Sequence, residues 1–215
     1  MQIVQPTISW LYIKIYLSKI DIPLEHNTFE DEIGIIKAVQ DVVLNRSPRG
    51  SLPIKCGISR EVKSVYISRL GSCVERSRVI EKILRYVGFK TRHIGVFSIA
   101  KTNSSIKSLL TEKIPSHSVT EVLTKRGWIV VDPNYRWIAI DYDNNYLSIK
   151  DIKLRVQSME TNFYKSKPAE PIFTQKFVYI YGLYSRHGKF YPPYNFVPDI
   201  EWSEFTYNIT EYFDN

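Results

Sequence analysis

Apolar residues recur at helical spacing in two early stretches of the chain and alternate along later ones, so the pattern predicts helices first and antiparallel strands afterwards. In residues 28–44, "TFEDEIGIIKAVQDVVL", Ile33, Ile35, Ile36, Val39, Val42 and Val43 form one apolar face. Thr28 supplies an N-cap, and Glu30, Asp31 and Glu32 put negative charge in the first turn, where the helix dipole favours it. The third residue after Thr28 is Asp31 rather than Glu or Gln, so a full capping box is not expected there. "NRSPRGSLP", 45–53, breaks the pattern. The second helix is capped by Ser72, whose partner Glu75 completes an S-x-x-E box and starts the helix at Cys73. Its buried stripe is Val79, Ile80, Ile83, Leu84 and Val87, with Arg76, Arg78, Lys82 and Arg85 mostly on the other side and Gly88 as the C′ residue.

Residues 90–100 alternate as a strand, and "KTNSSIKSLLTEKIPS" is a polar loop with room for a helical turn. "HSVTEVLTKRGWIVVDPNYRWIAID" then reads as a β-hairpin followed by another strand. A turn centred between Thr124 and Lys125 sets His117 opposite Asp132, Val119 opposite Val130 and Glu121 opposite Trp128, all on one face. Beyond residue 150 the pattern weakens, broken by Pro168, Pro171, Pro192, Pro193 and Pro198. The expected organisation is a single α+β domain over 1–215, with a core at about 54–150, N-terminal helical additions and an aromatic-rich C-terminal addition.

Composition narrows the function classes. A chain of 215 residues that is 44% hydrophobic and 24% charged can bury a substantial core. The net charge of +7 is scattered rather than gathered into runs, and no nucleic-acid fingerprint accompanies it, so no specific nucleic-acid binding is expected. The N-terminal "MQIVQPTISWLYIKIYLSKIDIP" is interrupted by Pro6, Lys14 and Lys19. It reads as a helix or strand packed on the domain, not as a membrane span or a secretory signal, which makes a cytoplasmic location the default. Cys56 and Cys73 have neither a CxxC spacing nor a His pair beside them, so neither a disulfide framework nor a zinc site is indicated, and no cofactor is expected.

The first turn of a helix is a setting that lowers a thiol pKa, which makes Cys73 a candidate nucleophile. A thiolate used in catalysis needs a base and a group to orient that base, and the hairpin offers His117 and Asp132. With "GSCVERSRVIEKILRYVGFKTRHIGV", "HSVTEV" and "GWIVVDPNYRW", the span 70–137 resembles the three catalytic blocks of the transglutaminase-like cysteine-enzyme superfamily. In that superfamily the Cys opens a helix ending L-R-x-x-G-F, the His opens a strand, and the Asp closes the next strand as W-x-x-x-D-P. The resemblance implies a papain-like α+β core and Cys73–His117–Asp132 thiol chemistry on amide or ester carbonyls. The substrate would be a peptide, a protein or a small amide or ester. Hydrolysis, deamidation and acyl transfer pass through the same acyl-enzyme, so the triad does not choose among them.

"RLGSCVE" also resembles the R-G-G-x-C-x-E motif of arylamine N-acetyltransferases, with Leu70 in place of the first glycine. The other alternative is a non-catalytic binding module on the same scaffold. Val119 stands where many relatives carry an aromatic residue, and Ile67 where a papain carries its oxyanion Gln. The Cys73 N–H is the first oxyanion donor, and neighbouring Tyr66 is the candidate second. Ser72, Glu121 and Trp128 are further candidate cleft residues. Glu75 reads as a cap, His93 as a core histidine, and His187 lies in a turn-like stretch. The aromatic C-terminal segment reads as a cover over the core rather than a stacking surface.

Overall fold

The structure, a computed structural model, describes residues 8–21, 27–50, 61–111, 113–160, 162–183, 200 and 202–209. Cys56 and His187 lie outside the described residues. The chain opens with α1 (Ile8–Leu17), α2 (Phe29–Arg46), α3 (Val62–Ser68) and α4 (Cys73–Tyr86). Residues 8–17 of the N-terminal stretch are thus a helix, and it packs on α3 and α4, with Ile13 and Tyr16 in the shared core. At the start of α2 the structure corrects one expectation: Asp31 does complete a capping box, accepting the Thr28 N–H at 2.9 Å while Thr28 Oγ1 accepts the Asp31 N–H at 3.1 Å. The shorter carboxylate reaches because it needs only one oxygen over the cap. Helix α3 falls between the break at 45–53 and Ser72, a stretch to which the pattern assigned no element.

Helix α4 begins and ends as its capping signals require, with Ser72 as N-cap and Gly88 beyond the C-cap at a φ of 101°. Its polar side differs from expectation. Arg76 and Arg78 are buried, along with Glu75 and Glu81, because α4 is covered by the sheet and by α1, α2 and α3. Arg78 is compensated by Glu61 at 2.7 Å.

Four antiparallel strands follow in the order β3-β2-β1-β4: β1 (Lys90–Ser98), β2 (Ser116–Thr124), β3 (Gly127–Val131) and β4 (Phe177–Tyr181). The turn α5 (Ser105–Leu110) interrupts the polar loop, and α6 (Ile149–Gln157), a 3₁₀ turn at Pro171–Thr174 and α7 (Trp202–Phe205) complete the described elements. One apolar layer lies between the first four helices and the sheet, with Ile36, Val39, Ile83, Val122, Ile129 and Val131 in it. A second, holding Ile94, Val96, Val119 and Val130, packs under α6, Phe173 and Tyr181. Each fully buried side chain of this kind contributes about 1.5–3 kcal/mol. This is a mixed α+β fold with an antiparallel sheet. No helix among the described residues is long and apolar enough to cross a membrane.

The hairpin register differs from the expected one. Thr124 pairs with Gly127, Thr120 with Val131 and Glu121 with Val130. The turn is the two-residue loop Lys125–Arg126, so its centre lies one residue later and every pairing slides by two. A slide of two preserves the face, because side chains alternate with period two. His117 and Asp132 are therefore diagonal neighbours rather than direct opposites.

Candidate active site

Cys73 is the first residue of α4. The Ser72 N–H donates to Glu75 Oε2 at 2.7 Å, and the Ser72 hydroxyl donates to the same carboxylate, so Glu75 is engaged as a cap. The thiol is partly exposed, at a helix start where backbone N–H groups favour negative charge. His117 is the second residue of β2, and Asp132 follows directly on β3. Both stand at one end of the sheet, where α4 also begins; one turn into α4, the Ser77 and Thr120 hydroxyls meet at 3.0 Å.

Asp132 Oδ2 accepts from His117 Nε2 at 3.0 Å. Its other oxygen, Oδ1, accepts the Asn134 N–H at 2.6 Å and the Tyr135 N–H at 3.1 Å. With Nε2 committed, the hydrogen bond between His117 and Cys73 falls to Nδ1. The imidazole is buried, which works against its charged form. Asp132, by charge and hydrogen bond, and Cys73 outweigh that cost, and His117 is pushed up to about 10. The arrangement favours an imidazolium beside the sulfur.

A pH dependence of stability follows. The folded pKa of His117 lies above its unfolded value of about 6.5, so its contribution is fully present below that pH and is lost as pH rises through about 10. Denaturant melts of the wild type and His117→Gln between about pH 6 and 10.5 should show the stability gap closing with rising pH. A gap that is constant across the range would contradict the assignment.

The remaining candidates are placed elsewhere. Tyr66, on α3, packs against Tyr12 and Tyr16 at centroid distances of 5.4 and 5.1 Å, with the Arg46 guanidinium 3.9 Å over its ring. Glu121 shares the face of His117 but lies four residues along β2, about 13 Å away at strand rise. It is fully buried, accepting from Arg92 Nε at 2.7 Å and from the Ile149 N–H at 2.8 Å. Trp128 sits opposite Leu123 near the turn, its ring 3.9 Å under Arg92. Glu121 and Trp128 thus belong to a buried ion cluster, not to the surroundings of Cys73. His93 is buried with Nδ1 3.1 Å from Ser77 Oγ, and burial, then Arg78, holds it well below the usual histidine range. Among the described residues, no three His, Cys, Asp or Glu side chains group as a metal site. Of the described C-terminal aromatics, Phe177 and Tyr181 cover the core, while Trp202 and Tyr207 are exposed.

Four supporting residues carry no sequence signal of their own. Phe173 backs the imidazole edge-on at 5.8 Å, and Trp137 stacks on Phe173. Arg76 donates through Nη2 to Asn134 Oδ1. Gln40, buried on α2, donates through Nε2 to the carbonyls of Asp132 at 2.7 Å and of Tyr135 and Trp137 at 3.0 Å each. It therefore pins the loop that carries Asp132. Gln40→Leu should cost about 1–3 kcal/mol, since buried acceptors lose their donor. At roughly 2–4 °C per kcal/mol for a chain of this size, the melting temperature should fall by about 2–12 °C. An unchanged melting temperature would show that the loop holds without it.

Residues 27–133 match the transglutaminase-like superfamily core. That segment contains the Cys73 helix and both hairpin residues. It belongs to the transglutaminase-like superfamily. Two solved structures resemble this chain. One is a candidate cysteine protease from Cytophaga hutchinsonii, at 14% identity and a TM-score of 0.41, with 59% of this chain and 37% of that one covered. The other is a candidate protease from Parabacteroides distasonis, at 10% identity and a TM-score of 0.42, with 59% and 24% covered. The match thus spans well under half the length of either protein. No curated protein matches the sequence.

Proposed function

We propose that this chain is a thiol-dependent hydrolase or acyltransferase that works on an amide or ester carbonyl through a Cys73 acyl-enzyme. The observation that supports the reading best is the unbroken relay from the Cys73 thiol to His117 and from His117 Nε2 to Asp132. His117 Nδ1 holds the proton of the thiol, which leaves the sulfur as a thiolate, and the thiolate attacks the carbonyl carbon. The resulting oxyanion meets the Cys73 N–H, aligned with the other N–H groups of the first helical turn. The imidazolium then returns its proton to the departing amine or alcohol, leaving a thioester. Water or an acceptor amine attacks that thioester while Nδ1 accepts its proton, and the thiol is regenerated.

Asp132 fixes the tautomer. In Asp132→Asn the amide oxygen stays with the two backbone N–H groups that now hold Oδ1, so its NH₂ turns toward His117. Nε2 must then accept, and Nδ1 carries the proton where it cannot take one from sulfur. In serine triads this change costs about 10⁴ in kcat. A helix-start thiol ionises more readily, so a loss on the order of 10–10³ is expected here, with a lower melting temperature at neutral pH because the charge that holds His117 protonated is gone. Full activity in that variant would contradict the orienting role.

Thiol titration separates an enzyme from a binding module on this scaffold. Alkylation of Cys73 by iodoacetamide across a pH series should show an inflection well below the free-thiol value of about 8.5. An inflection at that value would remove the nucleophile. Among substrates, an amide and ester library reports the hydrolase branch, and acetyl transfer from acetyl-coenzyme A to Cys73 would report the N-acetyltransferase-like one.

A further inference from the structure

One helical turn past Cys73, on the same face of α4, the fold buries a permanent cation. Arg76 is only 2% exposed. Its stem packs so closely on Gly71 that a Cβ there would come within 2.8 Å of Arg76 Cγ. Nη2 donates to Asn134 Oδ1, and Nε has no acceptor among the described residues. Burial disfavours the charge; Cys73, Asp132 and Glu75 favour it, and Arg49 opposes it. An uncompensated buried ion is strongly unfavourable, so an arginine here needs anions beside it. Glu75 is engaged with Ser72, and Asp132 with His117 and two backbone N–H groups. The sulfur of Cys73, itself hydrogen-bonded to His117, is the first of the groups whose charge favours the arginine.

We propose, building on the Cys73–His117–Asp132 reading above, that Arg76 is a positioning residue that keeps Cys73 ionised independently of His117 and ties the nucleophile's helix to the Asp132 loop. The tie runs through Asn134. Its side-chain oxygen accepts from Arg76, its N–H donates to Asp132 Oδ1, and its Nδ2 donates to Glu170 Oε1 at 2.7 Å. Among the described residues, the charged groups that act on Arg76 or His117 here are Glu75 and Arg76 from α4, His117 from β2 and Asp132 beyond β3. Arg49 and Glu170, 3.9 Å apart, lie beyond Arg76. The sulfur then has two cationic neighbours, one that titrates and one that does not.

The test is the pH dependence of iodoacetamide alkylation, followed by mass spectrometry on the Cys73 peptide of the full chain. Wild type, Arg76→Gln, Arg76→Lys and His117→Ala are compared, with melting temperatures measured alongside. Arg76→Gln should raise the inflection by about one unit, which lowers the rate at acidic pH roughly tenfold. Arg76→Lys keeps the charge and should stay within about half a unit of wild type. His117→Ala should still ionise below about 8.5, because the second cation remains. A merely structural arginine would lower the melting temperature and leave the inflection in place, and that result overturns the proposal. If Arg76→Gln does not fold, Arg76→Met, which keeps the stem against Gly71 without the charge, takes its place: a raised inflection supports the proposal, and an unchanged one overturns it. A wild-type inflection at about 8.5 would instead bring down the nucleophile reading, and this proposal with it.

Discussion

Cys73→Ala is expected to abolish turnover, with His117→Ala close behind. Without the sulfur no acyl-enzyme forms, and a neighbouring water has neither its nucleophilicity nor its place at the helix start. Removing a nucleophile or its base in comparable relays costs on the order of 10⁴–10⁶ in kcat. The sulfur is small and partly exposed, so its loss should hardly affect folding. His117→Ala also empties space beside Phe173 and leaves Asp132 Oδ2 without its donor, so a drop in melting temperature is expected with it. Initial rates on an activated ester, with melting temperatures in parallel, separate the two effects. Substantial turnover by folded Cys73→Ala would place the chemistry elsewhere.

The largest expected effect on stability lies away from the site, at Glu121→Ala. Glu121 is fully buried, and its environment pushes its carboxyl up through burial while Arg92 pulls it down. One oxygen receives Arg92, whose guanidinium is sandwiched between Trp128 at 3.9 Å and Tyr181 at 4.3 Å. The other receives the first N–H of α6. Truncation strands a largely buried cation and a helix terminus together. Breaking one partner of a buried pair costs about 3–5 kcal/mol. At roughly 2–4 °C per kcal/mol the melting temperature should fall by about 6–20 °C. A thermal melt of the purified variant checks it, and a shift of only a degree or two would mean that Arg92 finds another partner.

Local chemistry made the Cys73 helix readable. Ser72, Glu75 and Gly88 mark both ends of the Cys73 helix within 17 residues, and their signals act through adjacent backbone groups. His117 and Asp132 were placed on one face despite the wrong turn centre, because a two-residue slide leaves the face unchanged. What remained hidden depends on distant parts of the chain. β4 is five residues, "FVYIY", in a proline-broken, aromatic-rich stretch, and its strand character comes from pairing with β1 some eighty residues earlier. α6 carried the Ser148–Asp151 box and a short apolar stripe, Ile149, Ile152 and Val156, which the prolines and aromatics after it masked. Arg76 read as solvent-facing because helical periodicity assumes one open side, whereas α4 is covered almost all round. Gln40 looked like one more polar residue on an amphipathic helix; its three carbonyl partners lie more than ninety residues later.

The most direct test of the proposed chemistry is to trap the covalent intermediate. Full-length protein is mixed with a p-nitrophenyl ester, quenched in acid within the first turnovers and digested for mass spectrometry. The expected result is one acyl group on the Cys73 peptide, released by hydroxylamine as a thioester is, formed far more slowly in His117→Ala and absent in Cys73→Ala. Acylation spread over lysines, or acylation of Cys73 at the same rate with and without His117, would contradict a Cys73 nucleophile activated by His117.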